Sequence, residues 1–279
     1  MLDLLGKTKE ICQFLDVKPT RSKGQNFLVN SQIYEDIIKA SDLKATDEVL
    51  EVGPGLGFLT VRLNKKVKRV VAVELDKKLA EYLLSGFGVS GGEKVKIIQE
   101  DVLRFNPQTE FRNDYKIVAN LPYNISSIFL RQFLSNPKKP KLLVLMLQKE
   151  VAQRIVACPG EMSLLAVSVQ HYCTAQIVKE VRAANFWPVP EVDSAIMKLK
   201  TKPNKFSPAE DKLFFRLVKA GFSAKRKMLK NNLQGGLILD AKKIREAMIL
   251  VNLDVSVRAE RLSLEDWYKL FAQLSKFMV

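Results

Sequence analysis

The residues best suited to chemistry stand together in one segment, Asn120-Leu121-Pro122-Tyr123-Asn124-Ile125-Ser126. The segment follows an apolar run, residues 115–119, that is typical of a buried parallel strand. Pro122 ends that strand, because proline has no N–H to donate to a sheet. An amide, a rigid kink and an aromatic ring therefore lie at the carboxyl end of a strand, which is the edge where open α/β sheets bind ligands. This combination suits a planar base that carries an exocyclic amine.

A glycine-rich turn earlier in the chain, Gly53-Pro54-Gly55-Leu56-Gly57, follows a predicted strand and precedes a predicted helix. Glycines allow a tight turn and let a ligand approach the backbone closely. Glu74 ends the next predicted strand, 21 residues after Gly53, which is about the spacing at which a carboxylate reaches ribose hydroxyls in doubly wound folds. The two features together indicate a cofactor built on a nucleoside, whereas the turn alone is also typical of an ordinary strand–helix connection.

The spacing of the glycines distinguishes between cofactors. The dinucleotide motif is G-x-G-x-x-G, but here the third glycine comes one residue early, and no P-loop lysine follows it. Asp47, Glu48 and Glu51 place negative charge near the turn, which opposes a pyrophosphate but tolerates a sulfonium cation. The pattern therefore favours S-adenosylmethionine over NAD or ATP.

Two further side chains each allow two interpretations. Asp101 ends a third predicted strand, where its carboxylate could accept a hydrogen bond from an adenine amine or cap a helix. Phe186 begins a segment that Pro188 and Pro190 hold extended. Its ring could be presented for stacking beside an active site, or it could belong to the core, which is the commoner position of a phenylalanine.

Composition limits the classes of function. The 279 residues are 47% apolar and 27% charged, as in soluble globular proteins, and no stretch has the roughly 18 uninterrupted apolar residues of a membrane span. His171 is the single histidine, which argues against histidine acid–base chemistry and against a metal site. Three widely spaced cysteines and an N-terminus without a signal-like apolar segment predict a reduced, cytoplasmic protein.

Positive charge indicates a polyanionic partner. The formal net charge is +15, and from Thr201 onward 16 Lys and Arg stand against 8 Asp and Glu, a net of +8. That part contains the run Lys225–Leu233, for which phosphate contact is favoured over a solvated helix face. Residues 21–29 form a second basic segment. On local evidence it is more typical of an arm with Phe27 and Leu28 in the core than of a flap over a cofactor.

The elements that position these residues alternate between strands and helices. Seven strands are predicted, near residues 49–52, 70–73, 95–99, 115–119, 141–147, 177–181 and 195–200. Such alternation predicts an α/β fold, with a parallel sheet that has helices on both faces. Ser126 and Ser127 are predicted to cap the helix that follows the fourth strand.

The chain divides into two predicted domains. The polar, basic and proline-bounded segment 201–208 is the best candidate for a linker, and beyond it the apolar residues repeat with helical spacing. Residues 1–202 therefore form the predicted domain with the sheet, and residues 203–279 form a small, basic, all-helical domain.

In this order the motifs resemble those of the KsgA-type ribosomal RNA adenine dimethyltransferases, the group that acts on small-subunit (16S) rRNA. The resemblance runs nearly end to end and rests on Gly24–Leu28, Glu51–Gly57, Glu74–Asp76, Asp101, Asn120–Ser126, Phe186–Ser194 and Lys225–Leu233. It implies a Rossmann-like class I methyltransferase fold, with a mostly parallel seven-stranded sheet and a small helical C-terminal domain. Lys23 and Ile128 depart from the family, which usually has an apolar residue at the first position and often a proline at the second.

The resemblance also implies roles for individual residues. S-adenosylmethionine would be bound by Asn26, Leu28, Gly53, Gly55, Glu74, Leu75, Asp101, Val102 and Asn120. In that site Glu74 would hold the ribose and Asp101 the adenine amine. The target base would meet Asn120, Leu121, Pro122, Tyr123 and Phe186, with the two rings as a clamp. RNA would contact Lys23, Lys225, Arg226, Lys227, Lys230 and Asn231.

The implied activity is methyl transfer to N6 of two adjacent adenines near the 3′ end of 16S rRNA, in the small ribosomal subunit or its precursor, by a cytoplasmic monomer without a metal. A resistance-type methyltransferase of large-subunit rRNA shares the cofactor and clamp motifs, but Lys225–Leu233 and Arg258–Leu264 favour the small-subunit group. A ribosome-assembly factor that kept the fold is a further alternative, which the intact glycine turn, Glu74 and Asn120 disfavour. A DNA adenine methyltransferase matches the local motif alone.

Overall fold

The computed structural model describes residues 3–19, 25–90 and 94–278, so Lys23 lies outside the described residues. The chain forms two compact units. The first consists of Met1–Ala152 with Ala175–Thr201, and the second of Gln153–Thr174 with Lys202–Val279. No helix within the described ranges is long and apolar enough to cross a membrane.

The strands form one large sheet and one small one. They are β1 (Phe27–Leu28), β2 (Glu48–Val52), β3 (Arg69–Glu74), β4 (Val95–Gln99), β5 (Tyr115–Asn120), β6 (Leu142–Gln148), β7 (Cys173–Val181), β8 (Phe186–Trp187) and β9 (Ser194–Thr201). The seven-stranded sheet has the order β4-β3-β2-β5-β6-β9-β7, and β1 pairs with β8 in the two-stranded sheet. Strands β4, β3, β2, β5 and β6 run parallel, whereas β9 is antiparallel to β6. All seven predicted strands are present.

Helices connect the strands and then form the second unit. They are α1 (Leu4–Phe14), α2 (Ser31–Ala40), α3 (Phe58–Asn64), α4 (Lys77–Ser90), α5 (Pro107–Glu110), α6 (Ser126–Leu134), α7 (Lys149–Ile155), α8 (Leu164–Tyr172), α9 (Pro208–Gly221), α10 (Leu229–Leu237), α11 (Ala241–Leu250) and α12 (Leu264–Leu274). A single 3₁₀ turn, Tyr123–Ile125, lies between β5 and α6.

The central strands are apolar because the sheet buries both of their faces. In β6 the six residues Leu142–Leu147 are all buried, and in β5 so are Tyr115–Ala119, as expected for parallel strands covered by helices. The register aligns the carboxyl ends of three strands, since Val52 pairs with Val73 on one side and with Ala119 on the other. The loops after β2, β3 and β5 therefore meet at one edge of the sheet.

The second unit includes a segment that the sequence places in the first domain. Residues 153–174 lie within the predicted domain 1–202, but α8 contributes Ala166 and Val167 to the same apolar core as Phe214 and Leu217 of α9. The reason is that α8 is apolar over most of its surface and therefore needs partners on several sides. A single division of the chain at residue 202 cannot assign residues 153–174 to the second unit. The boundary after Thr201 lies one residue from the predicted division.

The start of α6 also differs from the prediction. The helix begins at Ser126, and neither serine caps it through its side chain. The hydroxyl of Ser126 instead donates a hydrogen bond to the carbonyl of Pro122, at 3.4 Å. The 3₁₀ turn Tyr123–Ile125 brings the chain into the helix directly, so a capping side chain is not needed there.

Candidate active site

One cavity of ≈ 350 Å³ lies at the carboxyl ends of β2, β3 and β5. Five segments form most of its wall, residues 25–28, 51–56, 73–76, 100–102 and 120–125, and the wall is completed by Tyr34, Phe58, Leu59 and Leu79. These segments are the loops that the register brings together, and they contain every residue that the sequence assigns to the cofactor. The cavity therefore corresponds to the ligand-binding edge expected of an open α/β sheet.

The glycine turn has a backbone conformation that only glycine adopts readily. Gly53, Gly55 and Gly57 have φ angles of 63°, 58° and 81°, all in the left-handed region. At Gly57 a Cβ atom would also stand 2.7 Å from Cδ2 of Leu83, and at Gly55 it would stand 3.2 Å from the ring of Phe27. The turn thus packs closely on its own side chains while its backbone lines the cavity.

Glu74 is buried at the end of β3, and two backbone groups fix its carboxyl group. The N–H of Gly55 donates to Oε2 at 3.0 Å, and the N–H of Asp76 donates to Oε1 at 2.9 Å. Burial raises the pKa of Glu74, and these two hydrogen bonds oppose the shift. The glycine turn is therefore tied to the one carboxyl group that the sequence assigns to a ribose.

Glu51 is a second buried carboxyl group in the cavity wall, and the sequence assigned it no individual role. Only 1% of the residue is exposed, and neither carboxyl oxygen has a hydrogen-bond partner among the described residues. Burial raises the pKa of Glu51 to about 8; the nearby hydroxyl of Thr60 opposes this shift and the carboxyl group of Glu74 adds to it. The sequence signal was present, because a charged residue inside an apolar strand has to be neutralised or paired.

Asp101, Val102 and Leu75 border the same cavity with polar and apolar groups. Oδ1 of Asp101 accepts a hydrogen bond from the N–H of Leu103 at 2.9 Å, so that oxygen caps a turn, whereas the sequence allowed a helix cap there. Oδ2 makes no hydrogen bond within the described part of the chain. Val102 is buried, whereas Leu75 is 67% exposed, an unusual exposure for leucine in a cavity wall. Together the residues offer an acceptor beside two apolar surfaces.

Asn120 ends β5, and its amide is held from one side. Nδ2 donates a hydrogen bond to the backbone carbonyl of Asn26 at 3.1 Å. This contact directs Oδ1 of Asn120 away from the segment 25–28. Leu28, two residues further along that segment, is buried and pairs with Phe186 in the two-stranded sheet. Residues 25–28 therefore form part of the cavity wall, which differs from the simple core arm that local evidence favours.

The residues after Asn120 place a ring beside the cavity. Leu121 is buried, and its N–H donates to the carbonyl of Met146 at 3.3 Å. Tyr123 lines the cavity and is half-buried. Its hydroxyl shares a hydrogen bond of 2.7 Å with Oγ of Ser194 at the start of β9, and burial raises the pKa of Tyr123. Ser194 is a positioning contact that sequence reasoning missed.

Phe186 does not line the cavity, as in the second of the two interpretations that the sequence allows, and its role in a base clamp stays a prediction. It is 1% exposed and belongs to the apolar core beneath the sheet. Because neighbouring side chains on a strand point to opposite faces, the pairing of β1 with β8 sends Leu28 and Phe186 into that core. Phe27 and Trp187, which also pair, pack instead on a separate cluster with Leu56 and Leu79.

Apart from Lys23, which lies outside the described residues, the residues predicted to contact RNA belong to the second unit. Lys225, Arg226 and Lys227 are exposed in the turn between α9 and α10, and Lys230 and Asn231 lie in the first turn of α10. The side chain of Asn232, which was not singled out from the sequence, is buried. Its Nδ2 donates to the carbonyls of Gly221 and Ala224, at 2.7 and 3.0 Å, so it fixes the turn that carries the positive charge.

Within the part of the chain that the structure describes, no group of three or more His, Cys, Asp and Glu residues could hold a metal ion. His171 instead contacts Asp211 and Tyr268 within the second unit, at 2.9 and 3.0 Å.

Comparison with known proteins places this geometry in a family. Residues 18–276 match the model of the family described as ribosomal RNA adenine dimethylase. A Ribosomal RNA small subunit methyltransferase A from Dehalococcoides mccartyi (strain CBDB1) is 42% identical over 270 residues, which cover 96% of this chain and 92% of the relative. The protein of the same name from Alkaliphilus metalliredigens is 35% identical, with 96% of each chain covered.

Two solved structures are also similar. A dimethyladenosine transferase from Plasmodium falciparum superposes with a TM-score of 0.77 at 27% identity, over 90% of this chain and 98% of that one. The 23S rRNA methyltransferase ErmE superposes with a TM-score of 0.71 at 25% identity, over 90% and 100% of the two chains. From the family match over nearly the whole sequence and the identity to full-length relatives, the chain belongs to the ribosomal RNA adenine dimethylase family.

Proposed function

We propose that this protein transfers methyl groups from S-adenosylmethionine to N6 of two adjacent adenines near the 3′ end of 16S rRNA. The observation that carries the proposal is the anchored amide of Asn120, which stands at the edge of a cavity built for a nucleoside. The names of the curated relatives support the small subunit as the source of the RNA.

The cavity wall fits S-adenosylmethionine. The left-handed glycine turn lets a ligand approach the backbone, Glu74 offers carboxylate oxygens at the strand end, and Asp101 keeps Oδ2 available for an amine. Leu75 and Val102 offer apolar surfaces on which a purine ring can lie. Asn26, Leu28, Gly53 and Gly55 complete the set of residues that would hold the cofactor, which supplies an activated methyl group.

The chain's own part in methyl transfer is to orient a weak nucleophile. The lone pair of adenine N6 is delocalised into the ring, so it has to be turned towards the methyl group. Nδ2 of Asn120 is already bonded to Asn26, and Oδ1 is therefore directed to accept a hydrogen from N6. This hydrogen bond strengthens as positive charge develops on the nitrogen, which is electrostatic stabilisation by a preorganised dipole.

A second acceptor for the amine comes from the backbone of the same segment. The carbonyl of Pro122 already accepts hydrogen bonds from the N–H of Ile125 and the hydroxyl of Ser126, at 3.3 and 3.4 Å. We therefore assign the second acceptor to the carbonyl of Leu121. Tyr123 provides the stacking surface for the flipped base, an interaction worth about 1–3 kcal/mol per base.

The basic turn would hold the RNA backbone. Lys225, Arg226, Lys227, Lys230 and Asn231 stand in or next to the N-terminal turn of α10, where their positive charge favours phosphate. We propose that residues 203–279 serve mainly in RNA binding and residues 1–202 in methyl transfer. We also propose that the protein acts as a cytoplasmic monomer, without a metal, on the small subunit or its precursor.

The test compares three substrates with one labelled cofactor. The protein is incubated with methyl-labelled S-adenosylmethionine and, separately, with small subunits that lack the methyl groups, large subunits, or protein-free 16S rRNA. Label is expected in adenines of 16S rRNA as N6-methyl and N6,N6-dimethyl products. The structural likeness to ErmE makes a large-subunit target the specific alternative, and label confined to 23S rRNA would establish it in place of this proposal.

A further inference from the structure

A buried acidic side chain lies in the cavity wall without a partner. Glu51 is 1% exposed, and both of its carboxyl oxygens lack a hydrogen-bond partner among the described residues. Leaving an ionised carboxylate in such a place is strongly unfavourable. The carboxyl group therefore keeps its proton near neutral pH unless a positive charge approaches it, in agreement with the raised pKa of Glu51, about 8.

The register of the sheet shows where this group stands. Glu51 pairs with Ala72 of β3 on one side and with Val118 of β5 on the other. Paired residues of parallel strands share a face, and so do residues two apart on one strand. Glu51, Glu74 and Asn120 therefore point to the same face. Glu51 lies on β2, between β3, which carries Glu74, and β5, which carries Asn120. It stands two residues further from the carboxyl ends of the strands than Glu74 and Asn120 do.

This position is central to the proposed reaction. The inference rests on the proposed function, in which Glu74 holds the cofactor's ribose and Asn120 orients the amine that receives the methyl group. In the proposed site the sulfonium, which joins the ribose to the methyl group, would lie over β2, the strand between Glu74 and Asn120. The face of β2 presents the buried acid Glu51 there.

We propose that Glu51 is the counter-charge for the cationic cofactor, and that it gives up its proton when the methyl donor binds. The ligand brings the positive charge that makes the ionised form favourable, and the released proton passes to solvent. After methyl transfer the sulfonium becomes a neutral thioether, and Glu51 takes its proton back. The site then binds the product less tightly than the substrate.

The other groups around Glu51 do not supply this positive charge. Tyr34 on α2 donates its hydroxyl to the carbonyl of Leu28 at 2.9 Å, Thr60 on α3 is neutral, and Glu74 on β3 is acidic. Arg62 on α3 stands over the ring of Tyr34 at 4.7 Å and pairs with Glu35 at 3.0 Å. From β5 the same face presents Val118 and Asn120, which are uncharged, and Lys116. The Nζ atom of Lys116 pairs with Asp47 at 2.8 Å and donates to the carbonyls of Ser41 and Asp42, so its charge is already paired at the other end of the strand.

The sign of the pH dependence follows from the linkage. Because the free protein holds the proton more tightly than the complex, raising the pH favours binding. Affinity for S-adenosylmethionine should rise by up to ~10-fold between pH 6.5 and 7.5 and level off above about pH 8. At pH 7 roughly 0.5–0.9 of a proton should be released for each molecule bound.

The experiment is titration calorimetry of the full-length protein in buffers with different enthalpies of ionisation, which counts the protons released. S-adenosylmethionine and S-adenosylhomocysteine are the two ligands. Release with the first ligand alone supports the proposal. Release with both overturns it, because it assigns the charge to the ammonium group that the two ligands share. Glu51→Gln is expected to lose the proton release and the rise in affinity with pH, while the ligand's own titration remains and is subtracted.

Glu246→Gln is the matched control, because Glu246 is exposed on α11 and does not line the cavity. It should release protons as the unmodified protein does. The inference is overturned if the unmodified protein binds S-adenosylmethionine without releasing a proton, or if Glu51→Gln releases as many. A protein that binds neither ligand would instead refute the cofactor assignment of the proposed function.

Discussion

A single backbone contact determines which atom of the Asn120 amide remains available for a hydrogen bond to a ligand. An asparagine at a strand end can present either an acceptor or a donor, and the two have opposite effects on an amine. The hydrogen bond from Nδ2 to the carbonyl of Asn26 leaves the acceptor Oδ1 directed away from that segment. In the proposed reaction, the segment 25–28 would thus contribute to the chemistry without touching the reacting atoms.

Replacing Asn120 should separate chemistry from cofactor binding. In Asn120→Ala we expect the rate of methyl transfer to fall by at least ~10²-fold, because one preorganised acceptor for the developing charge is lost. Binding of S-adenosylmethionine, measured by calorimetry, should weaken far less. Asn113→Ala removes an exposed amide before β5 and is expected to leave the rate unchanged. Normal turnover by Asn120→Ala would rule out this role.

The contact between Tyr123 and Ser194 should orient the stacking ring. Tyr123→Phe and Ser194→Ala each remove the 2.7 Å hydrogen bond, and either should reduce kcat/KM by about 3- to 10-fold, the equivalent of a hydrogen bond of about 0.5–1.5 kcal/mol. The double variant should lose no more than the worse single variant, since all three lack the same bond. Losses that multiply in the double variant, with cofactor affinity unchanged, would show that the two residues act independently.

At the scale of elements, the sequence alone predicted which residues lie at the carboxyl ends of the strands. Apolar runs with a polar residue at each carboxyl end predicted β2, β3, β4 and β5, and parallel register then brought Gly53, Glu74, Asp101 and Asn120 to one edge. Asn120 and Glu74 could be assigned because their spacing from strands and glycines is local. Each depends on a few neighbouring residues of the chain.

Other parts of the site were not readable, because they depend on contacts between distant residues. β1 and β8 have two residues each, too few for any periodicity, and their pairing determines which way Phe186 points. The sequence predicted the helix α8 correctly but not the unit to which it belongs, since the residues that α8 packs against come from α9 and later parts of the chain. Whether Glu51 has a hydrogen-bond partner likewise depends on the side chains of neighbouring elements, and none of those described bonds to its carboxyl oxygens.

The burial of Phe186 gives a test at this scale. Phe186→Ala should lower the free energy of unfolding by about 3–5 kcal/mol, because it leaves a cavity in the core under the sheet. Phe14, which is 83% exposed on α1, provides the matched control, and Phe14→Ala should change stability by no more than about 0.5 kcal/mol. Urea unfolding measures both. If Phe186→Ala is as stable as the control and only turnover suffers, the ring belongs to the base clamp after all.

For the molecule as a whole, the distribution of charge should govern affinity for RNA. Replacing Lys225, Arg226 and Lys227 together by alanine removes up to three phosphate contacts, so the slope of log affinity against log salt should become shallower by about 2. Binding to small subunits at several salt concentrations measures this slope, and cofactor binding should stay the same.

A second triple variant tests whether position matters beyond net charge. Lys44, Lys65 and Lys66 are exposed lysines of the first unit, and their replacement by alanine removes the same charge. We expect this control to change the slope by less than half as much. Equal effects of the two triple variants would mean that the overall field of the protein, and not the turn before α10, attracts the RNA.

The pairing of β1 with β8 has a consequence for how the protein is made. Leu28 and Phe186 are paired although they are 158 positions apart in the chain, and a ribosome synthesises them many seconds apart at about 5–20 residues per second. The segment that anchors Asn120 thus waits for its partner strand until two thirds of the chain exist. We expect nascent chains that stop before residue 186 to bind no cofactor, so that the protein becomes competent only after two thirds of its own synthesis.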